Sequence, residues 1–146
     1  MDMSQSVPKG VSITPLKRIH HPKGDILHAL KYSEISFAGF GEAYFTTVSA
    51  GEIKGWKKHK KMVMNLVVPI GEVVFHFFHE NKSTFIKAGA SNYVRITVEP
   101  DIWMAFEGVS EGVNLVLNIA NLPHDPLESE NVDIEFFPIT DTAAEI

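Results

Sequence analysis

The sequence predicts an all-β fold of antiparallel strands, a sandwich or barrel, and three observations carry that reading. Apolar segments of five to nine residues alternate with turn residues along most of the chain. Ten phenylalanines, with valine and isoleucine recurring in short runs, favour pleated, half-buried surfaces. No stretch sustains a helical period capped at both ends.

The elements follow from their punctuation. Ile35–Thr47 reads as extended chain broken by Gly39 and Gly41, and Met62–Ile70 as a strand ending at Gly71. Glu72–His79 runs to the turn Glu80-Asn81-Lys82-Ser83, whose formal glycosylation sequon is better read as that turn. Tyr93–Val98 stops before Pro100, and Val113–Ala120 stops at Asn121. Within the last of these, Val113, Leu115, Leu117 and Ile119 share one face. Asp125–Asn131 reads as one short helical turn, with Asp125 as cap and Pro126 at the first helical position. His76 and His79 fall on opposite faces of their strand, which makes them poor co-ligands. Gly39-Phe40-Gly41 lacks the third glycine and following helix of a dinucleotide fingerprint.

At 146 residues the chain is expected to form a single domain over 1–146, with 1–12 and 140–146 as mobile ends. Apolar residues make up 45% and charged residues 21%, the balance of a soluble globular protein. No cysteine is present, which rules out disulfides and thiolate chemistry. Neither a secretory pattern nor an apolar run of roughly 18 residues is seen, so a cytoplasmic location and no membrane partner are expected.

The densest feature is Lys54 to Lys61, with five lysines and one histidine in eight positions of a chain whose formal net charge is −5. Local positive charge on an acidic body suits a small anion better than a nucleic acid. Lys57, His59 and Lys61 share one face of the expected strand, with Trp56, Lys58 and Lys60 on the other. If that strand is a solvated edge, the lysines merely guard it against aggregation. If the face points inward, its charges need carboxylates, water or an anionic ligand.

The same stretch has the spacing of the first cupin signature, His-x-His, four residues, Glu, six residues, Gly. Here it reads Lys57, His59, Met64 and Gly71, and Met104 stands where the second signature brings a histidine. Ammonium and thioether groups do not suit the metals of such sites, so neither a metal nor another cofactor is expected. Further markers are Gly24-Asp25, Gly51-x-x-Lys54-Gly55, Asn65-Leu66-Val67-x-x-x-Gly71, Glu99-Pro100-x-x-Trp103 and His124-Asp125-Pro126-x-Glu128. With these, the chain resembles the dTDP-4-dehydrorhamnose 3,5-epimerases and the related dTDP-4-keto-6-deoxyhexose ketoisomerases.

The resemblance spans roughly Ile13 to Pro138 and implies a cupin jelly-roll (double-stranded β-helix) barrel, commonly a homodimer. It also implies a dTDP- or UDP-linked sugar as ligand and proton transfer beside a ketone. The epimerases' Arg-Gly-x-His is Lys54-Gly55-Trp56-Lys57 here, and of the ketoisomerases' Arg-Gly-x-His-x-His-Lys only His59 and Lys60 remain. The family's general-acid tyrosine falls near Pro123-His124, and its Lys-Leu-Val lysine is Asn65. The resemblance turns the His59 face inward and places Glu42 and Tyr44 among substrate-facing positions.

His59 is therefore expected as the base, kept neutral by flanking ammonium groups, with Lys57 stabilising an enolate-like intermediate. Lys54 is expected toward a diphosphate, and Lys61, Asn65 and His28 at the substrate. Trp56 and Trp103 have two readings, stacking on a base or sugar ring and ordinary barrel packing. His124-Asp125 has two as well, an acid pair and a capped turn. The same barrel, with its catalytic residues replaced, would instead serve as a non-catalytic carbohydrate- or nucleotide-sugar-binding module.

Overall fold

In a computed structural model, residues 7–140 are described, and the expected mobile ends at 1–6 and 141–146 lie outside them. Strands β1 Val11–Pro15, β2 Arg18–Ile19 and β3 Ile26–Leu27 come first. They are followed by β4 Glu42–Thr47, β5 Ile53–His59, β6 Met64–Ile70 and β7 Glu72–His79. Next come β8 Lys82–Gly89, β9 Val94–Val98, β10 Trp103–Gly108, β11 Leu115–Ala120 and β12 Ser129–Asn131. Among the described residues the only helical turns are the short 3-10 segments Pro126–Glu128 and Ile134–Phe136.

Two five-stranded antiparallel sheets face each other, in the orders β1-β9-β6-β11-β4 and β12-β5-β10-β7-β8. Alternation sends Met64, Leu66, Val68, Ile96 and Val116 of the first sheet inward, against Phe75, Phe77, Ile86 and Met104 of the second. This is the jelly-roll arrangement expected of a cupin.

Most expected boundaries hold to within two residues, and two expectations change. Ile35–Gly41 is no strand, because the backbone and side chains there bond to buried residues of the first sheet's outer face: Asn65 Nδ2 donates to Ser36 O at 3.1 Å. Residues 7–12 are not loose. Val7 packs on the core, and Val11 pairs with Val98.

Two turns are decided by backbone conformation. Glu80 and Asn81 have φ of 49° and 62°, the paired left-handed conformation that closes a tight hairpin between β7 and β8. Gly71 has φ of 78°, and a Cβ there would strike Val113 O and Asn114, so only glycine fits between β6 and β7.

Candidate active site

The basic strand β5 does not alternate simply. Met104 of β10 pairs with Lys57 and Phe106 with Lys54, so two steps on β10 match three on β5. This bulge turns both Lys54 and Lys57 toward the cavity between the sheets, where both remain solvent-exposed. Trp56 goes to the outer face, where it is 1% exposed. β5 ends at His59, and the chain bends at Lys60 and Lys61. The expected alternation therefore stops two residues short of Lys61.

Lys54, Lys57 and His59 line one wall of an inter-sheet cavity of about 270 Å³. Met64, Met104, Ala105 and Phe106 form its apolar part, and Tyr44, Thr46 and Asn118 come from the facing sheet. All four positions read from the cupin signatures, Lys57, His59, Met64 and Met104, meet in this cavity. No group of three potential metal ligands converges among the described residues.

His59 is half-buried, and its Nδ1 lies 2.6 Å from Glu128 Oε1. Oε2 of the same carboxylate accepts the backbone N–H groups of Lys61 at 2.9 Å and Met62 at 2.8 Å. Asp125 positions Glu128 locally, since its Oδ1 caps the turn Pro126–Glu128 by accepting from Leu127 N at 3.0 Å. Burial pushes the Glu128 carboxyl up, but the bonds from His59, Lys61 and Met62 outweigh it and hold the group below its ordinary value. An ionised Glu128 fixes a proton on His59 Nδ1 and leaves Nε2 as the nitrogen free to act.

β4 faces β5 from the other sheet and is not its hydrogen-bonded neighbour. Lys54 Nζ donates to Thr46 Oγ1 at 3.1 Å, which ties the two strands across the cavity mouth. Two residues earlier on β4, Tyr44 OH accepts from Asn118 Nδ2 at 2.9 Å. Glu42 lies on the same face of β4, half-buried.

Five expected site residues lie elsewhere. Trp56 Nε1 donates to Ile134 O at 3.0 Å, and Phe137 packs edge-on against Trp56 and tilted against Trp103. Both tryptophans thus hold the C-terminal segment on the outer face, which decides for packing. Asn65 follows inward-facing Met64 and so points outward, where its Oδ1 accepts from Arg95 Nε at 3.2 Å and Thr97 Oγ1 at 2.6 Å. Lys61 is exposed, beside an outer cleft with Lys60 and His124. His28 is anchored through its backbone by Lys17 and by the Tyr93 hydroxyl and is not among the cavity-lining residues. His124-Asp125 forms no acid pair, because Asp125 serves as the cap.

Glu128 and Asn118 were the residues that sequence reasoning passed over. Glu128 stood in the family marker with no role attached. Asn118 was a polar interruption in the inward phase of β11, hidden by attention to the apolar phase. That apolar phase faces out: Val116, Asn118 and Ala120 are buried, whereas Val113 is 58% exposed.

No protein-family profile matches the sequence, and no curated protein sequence is significantly similar to it. Solved structures are similar. A dTDP sugar isomerase from Desulfovibrio desulfuricans G20 superposes with a TM-score of 0.86 at 27% identity, covering 94% of each chain. The fold is that of the dTDP-sugar cupins. The 3,4-ketoisomerase QdtA from Thermoanaerobacterium thermosaccharolyticum, solved with TDP, gives a TM-score of 0.74 at 20% identity over 85% of this chain and 89% of that one. ChmJ, a 3′-monoepimerase from Streptomyces bikiniensis solved with dTDP-quinovose, gives 0.77 at 9% identity over 89% and 73%. The family read from the sequence is thus the family of its structural neighbours. Among the described residues no helix is long and apolar enough to cross a membrane.

Proposed function

We propose that this chain is an isomerase of nucleotide-linked sugars, an epimerase or ketoisomerase that moves protons next to the ketone of a dTDP-4-keto-6-deoxysugar or a close relative. The observation that carries the reading is the His59–Glu128 pair beside Lys57 in the wall of a cavity between the sheets. The likeness to the dTDP sugar isomerase supports the ligand class.

His59 Nε2 takes the proton from the carbon next to the ketone, and the electron pair moves onto the carbonyl oxygen to give an enolate. The Lys57 ammonium stabilises that oxygen, and Glu128 stabilises the imidazolium formed on His59. Proton return comes from His59 for transfer on one face, or from the Tyr44 hydroxyl on the opposing wall for inversion. No metal takes part, since an ammonium and two thioethers occupy the other three signature positions. The sugar occupies this cavity of about 270 Å³, and the nucleotide lies at the mouth near Lys54.

We place the protein in the cytoplasm as a homodimer. The outer strip of Phe45, Ile70 and Val113, each more than half exposed, supplies an apolar surface for a second copy. Analytical ultracentrifugation that finds only monomer would remove this part.

The test of the activity is solvent-deuterium incorporation into dTDP-4-keto-6-deoxyglucose, followed by NMR. Exchange that His59→Ala abolishes is the expected result. Binding of the same compound with no exchange would leave a carbohydrate-binding module in place of an enzyme.

A further inference from the structure

Beyond the proton-transfer residues, we infer that Glu42 and Asn118 form an acceptor subsite that selects sugars presenting ring hydroxyl or ammonium donors on the side away from Lys57. The inference rests on the nucleotide-sugar reading and refines it by naming what orients the ring.

Buried polar atoms in folded proteins are almost always paired, so each exception asks for a partner. Four buried side-chain atoms lack one among the described residues, and two of them are Glu42 Oε1 and Asn118 Oδ1. Both lie on the inner face of the first sheet, Asn118 in the cavity lining and Glu42 beside it. Asn118 pairs with Tyr44 and Ala120 pairs with Glu42 across β11 and β4, so Glu42 and Asn118 are diagonal neighbours on the inner face. Asn118 is 3% exposed and lines the cavity.

The other polar groups of this wall each accept one bond already, and the Thr46 and Tyr44 hydroxyls keep a proton to donate. Thr46 Oγ1 accepts from Lys54, and Tyr44 OH accepts from Asn118 Nδ2. The buried groups still unpaired there are two acceptors, one of them a carboxylate. A ligand group that satisfies them must donate. On β5 the free functionality is the opposite kind, the Lys57 ammonium, which calls for an acceptor such as a ketone oxygen. A sugar ring with its ketone toward β5 and its hydroxyls toward β4 and β11 satisfies Lys57, Glu42 and Asn118 together, whereas the reversed ring leaves Glu42 and Asn118 without a donor. An ammonium in place of a hydroxyl gains a charge-assisted bond to Glu42.

The test is calorimetric titration of dTDP, dTDP-glucose, its 2- and 3-deoxy analogues and its 3-amino-3-deoxy analogue. In the wild type, dTDP-glucose binds more tightly than dTDP, and one deoxy analogue loses roughly tenfold. In Glu42→Ala and Asn118→Leu, dTDP affinity stays as in the wild type, which also reports an intact fold. The same deoxy penalty then shrinks toward unity, as coupled groups require. Glu42→Gln keeps an acceptor, so it retains dTDP-glucose and loses only preference for the amino analogue. Deoxy penalties unchanged in both variants, or absent from the wild type, overturn the subsite and leave the nucleotide-sugar reading standing. A wild type that binds none of these compounds overturns both.

Discussion

Glu128 reaches His59 Nδ1 with one carboxylate oxygen and the backbone N–H groups of Lys61 and Met62 with the other. One side chain therefore fixes both the imidazole and the bend that ends β5. Glu128→Gln keeps the shape but removes the charge that stabilises a protonated His59. We expect kcat to fall by about 100-fold or more with KM within a few-fold, since general-base catalysis contributes about 10²–10⁴. A purely structural role would instead lower the melting temperature and leave kcat per folded molecule intact.

Lys54 sits at the mouth, tied to Thr46. Lys54→Gln should weaken dTDP binding roughly tenfold at low salt, with the deficit shrinking as ionic strength rises. Titration at two salt concentrations checks this. A loss confined to kcat would move Lys54 from the diphosphate to the chemistry.

Asn65 should matter to stability and not to the ligand. Its side chain joins Arg95, Thr97 and the Ser36 carbonyl, and Arg95, fully buried, also pairs with Glu34 at 2.9 Å. Asn65→Ala strands several buried partners, at about 1–3 kcal/mol for each group left unsatisfied. Urea denaturation should report a loss of about 2–4 kcal/mol, with dTDP affinity unchanged.

His76 gives the protein a pH-dependent stability remote from the cavity. It is 1% exposed, with Nε2 2.8 Å from Glu107 Oε1, and burial holds its protonation below the ordinary histidine value despite that carboxylate. The unfolded chain then binds the extra proton first, so stability is full above about pH 6.5 and declines as pH falls from there toward the lower folded value. Thermal melts from pH 7.5 to 5 should show this decline in the wild type and a flatter profile in His76→Gln.

Strand periodicity and turn residues made the sheets legible, because alternation and glycine conformations are local. The cavity was legible through the spacing of Lys57, His59, Met64 and Met104, which four positions on three strands bring together. Three features were not. The bulge at Gly55-Trp56 depends on pairing with β10, so nothing on β5 itself announced that Lys54 joins Lys57 inside. The tryptophans were undecided until the C-terminal segment was seen to cover them. Glu128 is 69 residues from His59, and no local pattern couples them. The apolar phase of β11 misled about direction, since an outer face can be as oily as an inner one.

The irregular step in β5 makes the electrostatics of the cavity hostage to chain length. Gly55 and Trp56 both lie toward the C-terminal segment, while Lys54 and Lys57 both lie toward the cavity. Deleting one residue here would restore plain alternation and rotate every side chain before the deletion by half a period. One lysine would then leave the cavity with no lysine codon altered. Relatives that differ by a single residue in this strand should therefore differ in how many cations greet the incoming anion.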